Sequence, residues 1–203
     1  MKFPYVIIDD FLSNPLSARN FALEKVEVMQ INQGDGKPLR GLRSGNIKDL
    51  NKSLYSEIIE KISLCYPPLI SYENTHMEFQ FTDNTWEGPG WVHSDSSILT
   101  CILYLNENVC QNFGTSLYFG KTPNTVSLND SIKKESNKDV NLRKTEKYKE
   151  SRRENNDQFV RTMQIGNVFN RMFVFPGDTF HSGDGFFGNS KETSRLTIVT
   201  FVY

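Results

Sequence analysis

The sequence is poor in cysteine, in histidine and in net charge. Its three cysteines, Cys65, Cys101 and Cys110, form no Cys-x-x-Cys pair and no even-numbered disulfide framework. We therefore expect reduced thiols and a cytoplasmic location. The formal net charge of −1 at pH 7 offers no basic surface, so no nucleic-acid partner is expected.

Long apolar runs are also missing. No stretch approaches the ~20 apolar residues that a membrane-spanning helix needs. The first ten residues are typical of a short strand closed by two acidic residues, and not of a signal peptide. We expect a soluble protein that has no membrane partner, built as a single domain of 203 residues.

The apolar pattern predicts two helices and about eight short strands. One helix is expected over about 18–28, capped by Ser17, and an amphipathic helix over 48–65. The strands are expected at 4–8, 77–81, 99–105, 114–120, 158–165, 170–175, 179–183 and 195–203. Residues 31–47 are predicted to be a loop whose arginines are candidates for a substrate contact. The fold class is therefore mainly β (α+β): a jelly-roll core at 76–203, with a helical region at 1–75 packed on one sheet.

Residues 121–157 differ from the rest in composition, because Lys, Glu, Asn, Ser and Arg dominate them. A structureless loop of this length is unusual inside a compact domain. Within it, 143–154 is compatible with a solvated helix carrying i,i+4 charge pairs. Two interpretations stay open for this polar insertion, a solvated excursion and a lid over a substrate.

A His-x-Asp pair stands at the entrance to the strand predicted at 99–105. In an extended segment, residues i and i+2 point to the same side, so the His93 imidazole and the Asp95 carboxylate can converge. These are two of the three ligands of a 2-His-1-carboxylate site, which binds non-haem iron(II) and leaves three positions open. The third ligand must come from far downstream, and His181 is the candidate. His76 is expected to be structural or solvent-exposed.

Arg195 begins the last predicted strand, whose other residues are nearly all apolar or β-branched. An arginine at the inner rim of a barrel is costly unless it is paired. Its planar fork suits a carboxylate, and Thr197, two residues on, faces the same way. An ion pair with Asp178 or Asp184 is the simpler interpretation of Arg195 alone. Together with the three predicted metal ligands, a carboxylate of a bound ligand becomes the favoured partner.

Residues 77–203, without the polar insertion, resemble the iron(II)/2-oxoglutarate-dependent dioxygenases, in the prolyl-hydroxylase-like branch. The matching segments are His93-Ser94-Asp95, Leu99-Thr100-Cys101-Ile102-Leu103-Tyr104-Leu105-Asn106, Gly114-Thr115-Ser116-Leu117, Arg171-Met172-Phe173-Val174-Phe175, His181 and Arg195-Leu196-Thr197.

The resemblance implies a double-stranded β-helix that binds iron(II) through His93, Asp95 and His181. It also implies 2-oxoglutarate as cosubstrate, held at its distal carboxylate by Arg195 and Tyr104. Thr197, which faces the same way as Arg195, is the candidate for a further hydroxyl to the same carboxylate. Dioxygen is then the second cosubstrate and ascorbate a candidate reductant, and hydroxylation is the expected reaction. For Tyr104 the alternative is a core aromatic residue whose hydroxyl is satisfied by a neighbour.

The substrate is left open between a peptidyl and a small-molecule one, and the sequence gives no oligomeric state. Trp86, Phe186 and Phe187 are the candidates for the substrate wall. A second functional class is a cupin-like metal-binding module without turnover, which would have no reason to keep Arg195 and Thr197. A weaker third is a zinc hydrolase with the same ligands, which needs a general base such as Glu87 or Asp184.

Overall fold

The computed structural model describes residues 4–26, 32–33, 37–38, 42–66, 71–85, 88–107, 111–127, 132–133, 135 and 139–203. The helices are α1 (Pro15–Lys25), α2 (Ile47–Leu50), α3 (Lys52–Cys65) and α4 (Glu146–Asn156), with 3-10 turns at Gln111–Phe113 and Val140–Lys144. The strands are β1 (Val6–Ile8), β2 (Asn32–Gln33), β3 (Lys37–Pro38), β4 (Leu42–Arg43), β5 (Thr75–Thr82), β6 (Leu99–Tyr104), β7 (Thr115–Gly120), β8 (Phe159–Ile165), β9 (Met172–Pro176), β10 (Phe180–Gly183) and β11 (Arg195–Val202).

Two antiparallel sheets form the body of the molecule. The larger has six strands in the order β1-β9-β6-β11-β5-β4, and the smaller has three in the order β10-β7-β8. Strands that are distant in the sequence therefore pair, as a jelly roll requires. Each of the predicted strands is present at its expected place, and the mainly β fold class is confirmed.

One face of the six-stranded sheet is apolar and packs on the helices. Leu54, Ile58 and Ile62 form the buried stripe of α3 and meet strand residues such as Phe79 and Leu103 in one core cluster. Burial of each such side chain contributes about 1.5–3 kcal/mol. The N-terminal helices pack on one sheet as predicted. No helix in the described part of the chain is long and apolar enough to cross a membrane.

The opposite face, called here the inner face, looks toward the three-stranded sheet. Between the two sheets lies a second apolar cluster, formed by Ile102, Tyr104, Leu117, Ile165, Phe173 and Phe175. Directly opposed pairs place Arg43, Gln80, Thr197 and Tyr104 in one row across β4, β5, β11 and β6. Polar side chains thus enter an otherwise apolar space between the sheets.

Two local predictions are corrected. Helix α1 begins at Pro15, and its cap is Asn14, whose Oδ1 accepts from the Ser17 N–H at 3.0 Å. Proline suits the first helical turn because no N–H donor is needed there, so the helix begins before the predicted cap Ser17. The predicted loop 31–47 contains β2, β3 and β4, and strands of two residues are too short to show a period of two.

The polar insertion contains α4, and this helix is not simply solvated. Its charges form the pairs Lys149–Glu146 at 3.5 Å and Arg153–Glu150 at 4.0 Å, with spacing i,i+3. Its other side buries Tyr148, Ser151 and Asn155. Helix α4 is therefore docked on the rest of the protein.

Candidate metal centre

His93, Asp95 and His181 converge on one point. Asp95 Oδ1 lies 3.7 Å from His93 Nε2, and Asp95 Oδ2 lies 3.4 Å from His181 Nε2. The three ligand atoms all lie within 4.8 Å of one another. Among the described residues this is the one group of three or more His, Cys, Asp or Glu side chains that could hold a metal ion.

The backbone brings the two histidines together. His93 and His181 form an isolated antiparallel bridge, in which the His93 N–H donates to the His181 carbonyl at 3.0 Å and the His181 N–H donates back at 2.8 Å. Their ring centroids are 4.4 Å apart. Two imidazoles from distant parts of the chain thus become neighbours through main-chain pairing.

Asp95 is fixed from two sides. Its N–H donates to the Gly177 carbonyl at 2.7 Å, and its Oδ2 accepts from the Thr100 hydroxyl at 2.7 Å. A Cβ at position 177 would lie 2.1 Å from the Ser97 carbonyl oxygen, so only glycine allows this approach. Thr100 was not predicted as a site residue, although its place on the inner face of β6 follows from strand alternation.

Both histidines have their Nε2 atoms ready for a metal. His93 Nδ1 lies 2.9 Å from the Trp91 carbonyl, and His181 Nδ1 lies 2.9 Å from the Thr179 carbonyl. Because a carbonyl only accepts, each Nδ1 is the donor, and the lone pair of the neutral ring is on Nε2. This pattern is typical of metal-bound histidines.

The site is closed on one side and open on the other. The His181 side chain is 7% exposed, that of Asp95 17% and that of His93 32%. The Phe175 ring covers His181 edge-on at 4.8 Å between centroids. Two imidazoles and one carboxylate leave free coordination positions for ligands that enter from the open side.

Arg195 is buried at the start of β11 on the inner face. Its Cζ lies 5.4 Å from the Tyr104 ring centroid and 5.9 Å from that of Phe186, and its Nε donates to the Phe113 carbonyl at 3.3 Å. Burial lowers the pKa of the guanidinium. Within the described residues no carboxylate comes within 4.0 Å of it.

The protein carboxylates considered as partners for Arg195 do not pair with it. Asp184 accepts hydrogen bonds from Ser116 Oγ and, at 3.3 Å, from Gln164 Nε2. Burial raises the pKa of Asp184. Asp178 has no ion pair with Arg195 either. Arg195 therefore forms no direct salt bridge with either carboxylate, although Tyr104 and Asp184 both act to raise its pKa against the larger effect of burial.

Thr197 and Tyr104 lie opposite each other beside Arg195. The Thr197 hydroxyl is buried and has no hydrogen-bond partner in the described part of the protein. An unsatisfied buried hydroxyl costs about 1–3 kcal/mol. The Tyr104 hydroxyl donates to Thr115 Oγ1 at 2.8 Å, and burial raises its pKa, so it is neutral. The Tyr104 hydroxyl is thus satisfied by Thr115, as in the alternative given above of a core aromatic residue.

A second charged group lies on the same sheet near β4. Arg43 pairs with the buried Glu78, whose Oε2 lies 3.1 Å from His76 Nε2. Burial, followed by the Arg43 charge, lowers the pKa of His76. Arg43, one of the loop arginines, is therefore in an internal ion pair, and His76 contacts Glu78, outside the group of three metal-ligand candidates.

The remaining predicted residues divide between the described and undescribed parts of the chain. Trp86 and Glu87 lie outside the described residues. Phe186 packs against Arg195, and the Phe187 ring lies 5.4 Å from that of Phe113. Sequence reasoning missed the carbonyls that orient the histidines, since a carbonyl has no sequence signature.

Solved structures similar to this chain include iron- or nickel-containing proteins and α-ketoglutarate-dependent enzymes. SnoK, a non-haem α-ketoglutarate-dependent carbocyclase from nogalamycin biosynthesis, has a TM-score of 0.57 and 14% identity, over 99% of this chain and 80% of its own. HygX from Streptomyces hygroscopicus, solved with nickel, 2-oxoglutarate and hygromycin B, has a TM-score of 0.55 and 10% identity, over 99% and 83%. A prolyl 4-hydroxylase from Phytophthora capsici has a TM-score of 0.50 and 13% identity, and the chain covers 58% of its length with 98% of its own. At these identities the likeness establishes the jelly-roll fold.

The sequence model of the Family of unknown function (DUF6445) matches residues 85–202, more than half of the chain. The chain belongs to this family. A comparison with curated proteins found no match.

Proposed function

We propose that this protein is a non-haem iron(II)- and 2-oxoglutarate-dependent dioxygenase that hydroxylates a peptidyl or small-molecule substrate. The observation that carries the proposal is one inner face with two complementary parts. One part is an open group of two imidazoles and a carboxylate. The other is the buried Arg195, which pairs with no carboxylate of the described chain.

The donor set fits iron(II). His93 and His181 supply neutral Nε2 atoms fixed by their Nδ1 hydrogen bonds, and Asp95 supplies the negative charge. Thr100 holds one carboxylate oxygen and leaves the other free to turn toward the ion. These residues would bind the metal and orient its open positions.

The second part fits a carboxylate. Arg195 offers a planar donor fork, and the orphaned Thr197 hydroxyl on the same side of β11 offers one more donor. 2-Oxoglutarate has two carboxylate ends, so one can reach the metal while the other is held here. The apolar residues between the sheets, among them Ile102, Phe173 and Phe175, would exclude water from this space.

When bound, iron(II) and 2-oxoglutarate supply oxidation by dioxygen, which yields succinate, carbon dioxide and a hydroxylated substrate. The chain's own part is to bind the dicarboxylate, hold the ligands and admit a C–H bond at the open side near His93. The balanced charge and the cysteine usage support the proposal of a cytoplasmic protein without a nucleic-acid or membrane partner.

The test is release of succinate from 2-oxoglutarate by the purified protein with iron(II), ascorbate and dioxygen. It compares the wild type with His93→Ala, Arg195→Ala and, as a matched arginine, Arg171→Ala, whose side chain pairs with Asp9 at 2.6 Å away from the site. We expect slow turnover in the wild type and in Arg171→Ala, lost in the other two. Iron binding without 2-oxoglutarate binding, titrated in the same sample, would reject the oxygenase and leave a cupin-like metal-binding module.

A further inference from the structure

The chain segment that carries His93 is held by the polar insertion. Residues 90–92 lie outside the named strands, and on the β10 side the segment is paired by the bridge from His93 to His181 and by the Gly90 N–H, which donates to the Gly183 carbonyl at 2.8 Å. The buried Trp91 indole donates from Nε1 to the Tyr148 hydroxyl of α4 at 3.0 Å. The two rings meet edge to face at 5.8 Å between centroids. Helix α4 thus provides the packing surface for this segment.

Two neighbouring asparagines of α4 replace a missing partner strand. Asn156 Oδ1 accepts from the Val92 N–H at 2.9 Å, and Asn156 Nδ2 donates to the Gly90 carbonyl at 2.9 Å. The fully buried Asn155 donates from Nδ2 to the Val92 carbonyl at 3.1 Å. Side-chain amides carry the same donors and acceptors as the peptide group, so they satisfy this backbone as a strand would.

The held segment contains the group that orients His93. The Trp91 carbonyl accepts from His93 Nδ1, and Trp91 is held by its own side chain and by both neighbouring peptides. The equivalent carbonyl for His181 belongs to Thr179, whose N–H donates to the Pro176 carbonyl at 3.0 Å within the turn between β9 and β10. Only one of the two histidines therefore depends on the insertion.

We infer that helix α4 is a positioning element for the metal ligand His93, in which Tyr148, Asn155 and Asn156 fix the Trp91 carbonyl that sets the direction of the His93 ring. The inference rests on the metal-binding role proposed above. This function of the polar insertion differs from that of a lid, because α4 acts on the His93 ring through residues 90–92 and not by covering a substrate.

The test uses point variants of the full chain. Asn156→Ala removes the hydrogen bonds to Val92 and Gly90, together with the one that Asn156 Oδ1 accepts from Asn155 Nδ2 at 2.9 Å. Asn156→Asp keeps the acceptor for Val92 and loses the donor for Gly90, and Tyr148→Phe removes only the hydroxyl. Glu154→Ala, an exposed position of the same helix, is the matched control.

Two quantities are measured: the dissociation constant for nickel(II), and the tautomer of each histidine from ¹⁵N imidazole spectra of the metal-free protein. The spectra are recorded about two pH units above the ordinary histidine pKa of about 6.5, so that the rings are neutral.

We expect Asn156→Ala to weaken nickel(II) binding about tenfold, the lower end of the effect of groups that orient metal ligands. Asn156→Asp and Tyr148→Phe should lie between it and the wild type, and Glu154→Ala should match the wild type. In the spectra His93 should become a tautomer mixture while His181 keeps its proton on Nδ1.

Folded variants with unchanged nickel(II) affinity and an unchanged His93 tautomer would overturn the inference, as would equal changes at both histidines. If Asn156→Ala does not fold, Tyr148→Phe, which keeps the buried ring, decides the question. A wild type that binds no nickel(II) contradicts the proposed function instead, and the His93 tautomer still tests the positioning role.

Discussion

Two arginines on the six-stranded sheet are equally buried and differ in their partners. Arg43 on β4 is 7% exposed and pairs with the buried Glu78. Arg195 on β11 is 4% exposed and faces two aromatic rings and one backbone carbonyl. Among the described residues no carboxylate reaches the guanidinium of Arg195.

The difference indicates that the partner, and not the burial, separates an arginine with a structural ion pair from a candidate for ligand binding. A buried charge without a partner costs several kcal/mol, on the order of the stability of a whole domain. Arginine cannot avoid this cost by losing its proton, because its pKa stays far above neutral pH. Arg195, which is buried without a direct salt bridge, is a candidate to bind the acid proposed above, whereas Arg43 is paired within the protein.

The largest effect is expected for Arg195→Met. We predict a loss of 2-oxoglutarate affinity of at least about a hundredfold, because two charge-assisted hydrogen bonds are worth about 3 kcal/mol or more. The free energy of unfolding should stay the same or rise by up to about 2 kcal/mol, since an uncompensated charge is removed. Calorimetric titration with metal present and urea unfolding measure the two quantities. Unchanged 2-oxoglutarate affinity would remove the distinction between the arginines.

Arg43→Met should lower the stability of the protein and leave its affinity for 2-oxoglutarate unchanged, the reverse of the result expected for Arg195→Met. It leaves Glu78 buried without its cation, and we predict a loss of about 3–5 kcal/mol in the free energy of unfolding. Affinity for 2-oxoglutarate, measured on the folded protein, should be unchanged.

A double-mutant cycle sharpens this second prediction. Adding Glu78→Leu to Arg43→Met removes both charges, so most of the lost stability should return. A double variant as unstable as the sum of the single ones would show that the two residues contribute independently.

A smaller effect is expected for Thr197→Val. Because it removes an unsatisfied buried hydroxyl, the free energy of unfolding should rise by about 1 kcal/mol, and 2-oxoglutarate affinity should fall about tenfold. Thr200→Val is the matched control. Its hydroxyl is also buried without a partner, but on the helix-facing side, between Ile198 and Val202. Equal losses of affinity in both variants would contradict a role for Thr197.

The smallest predicted effect is on the pH dependence of the unfolding free energy, through His76, which lies beside the Arg43–Glu78 ion pair. The pKa of His76 is lowered by burial and then by Arg43, although Glu78 lies at 3.1 Å. Below its ordinary value of about 6.5 the unfolded chain binds the proton first, so stability falls as the pH falls from there toward the folded pKa. His76→Gln should flatten this part of the curve of unfolding free energy against pH. A curve of the same slope in the variant would assign the dependence to other groups.

The sequence predicted the convergence of His93, Asp95 and His181 better than the surroundings of these three residues. His93 and Asp95 share a side because residues i and i+2 of an extended segment do, and the long strands β5, β6 and β11 have clear apolar patterns. The β4 strand with Arg43 is two residues long, so its pairing with β5 depends on tertiary contacts alone. Likewise, the composition of α4 indicated solvation, and only the fold shows that Tyr148 and Asn155 are buried against Trp91 and Val92.

The backbone bridge between His93 and His181 also allows the opening of the site to be followed by amide hydrogen exchange. Each residue's amide proton is held by the other's carbonyl, so both exchange with solvent only when the two backbones separate. That separation also moves the imidazoles apart. The cation proposed above would lower the population of the separated form by a factor of one plus the ratio of the cation concentration to Kd. The exchange rates of these two amide protons would therefore measure the fraction of the protein that has a cation bound.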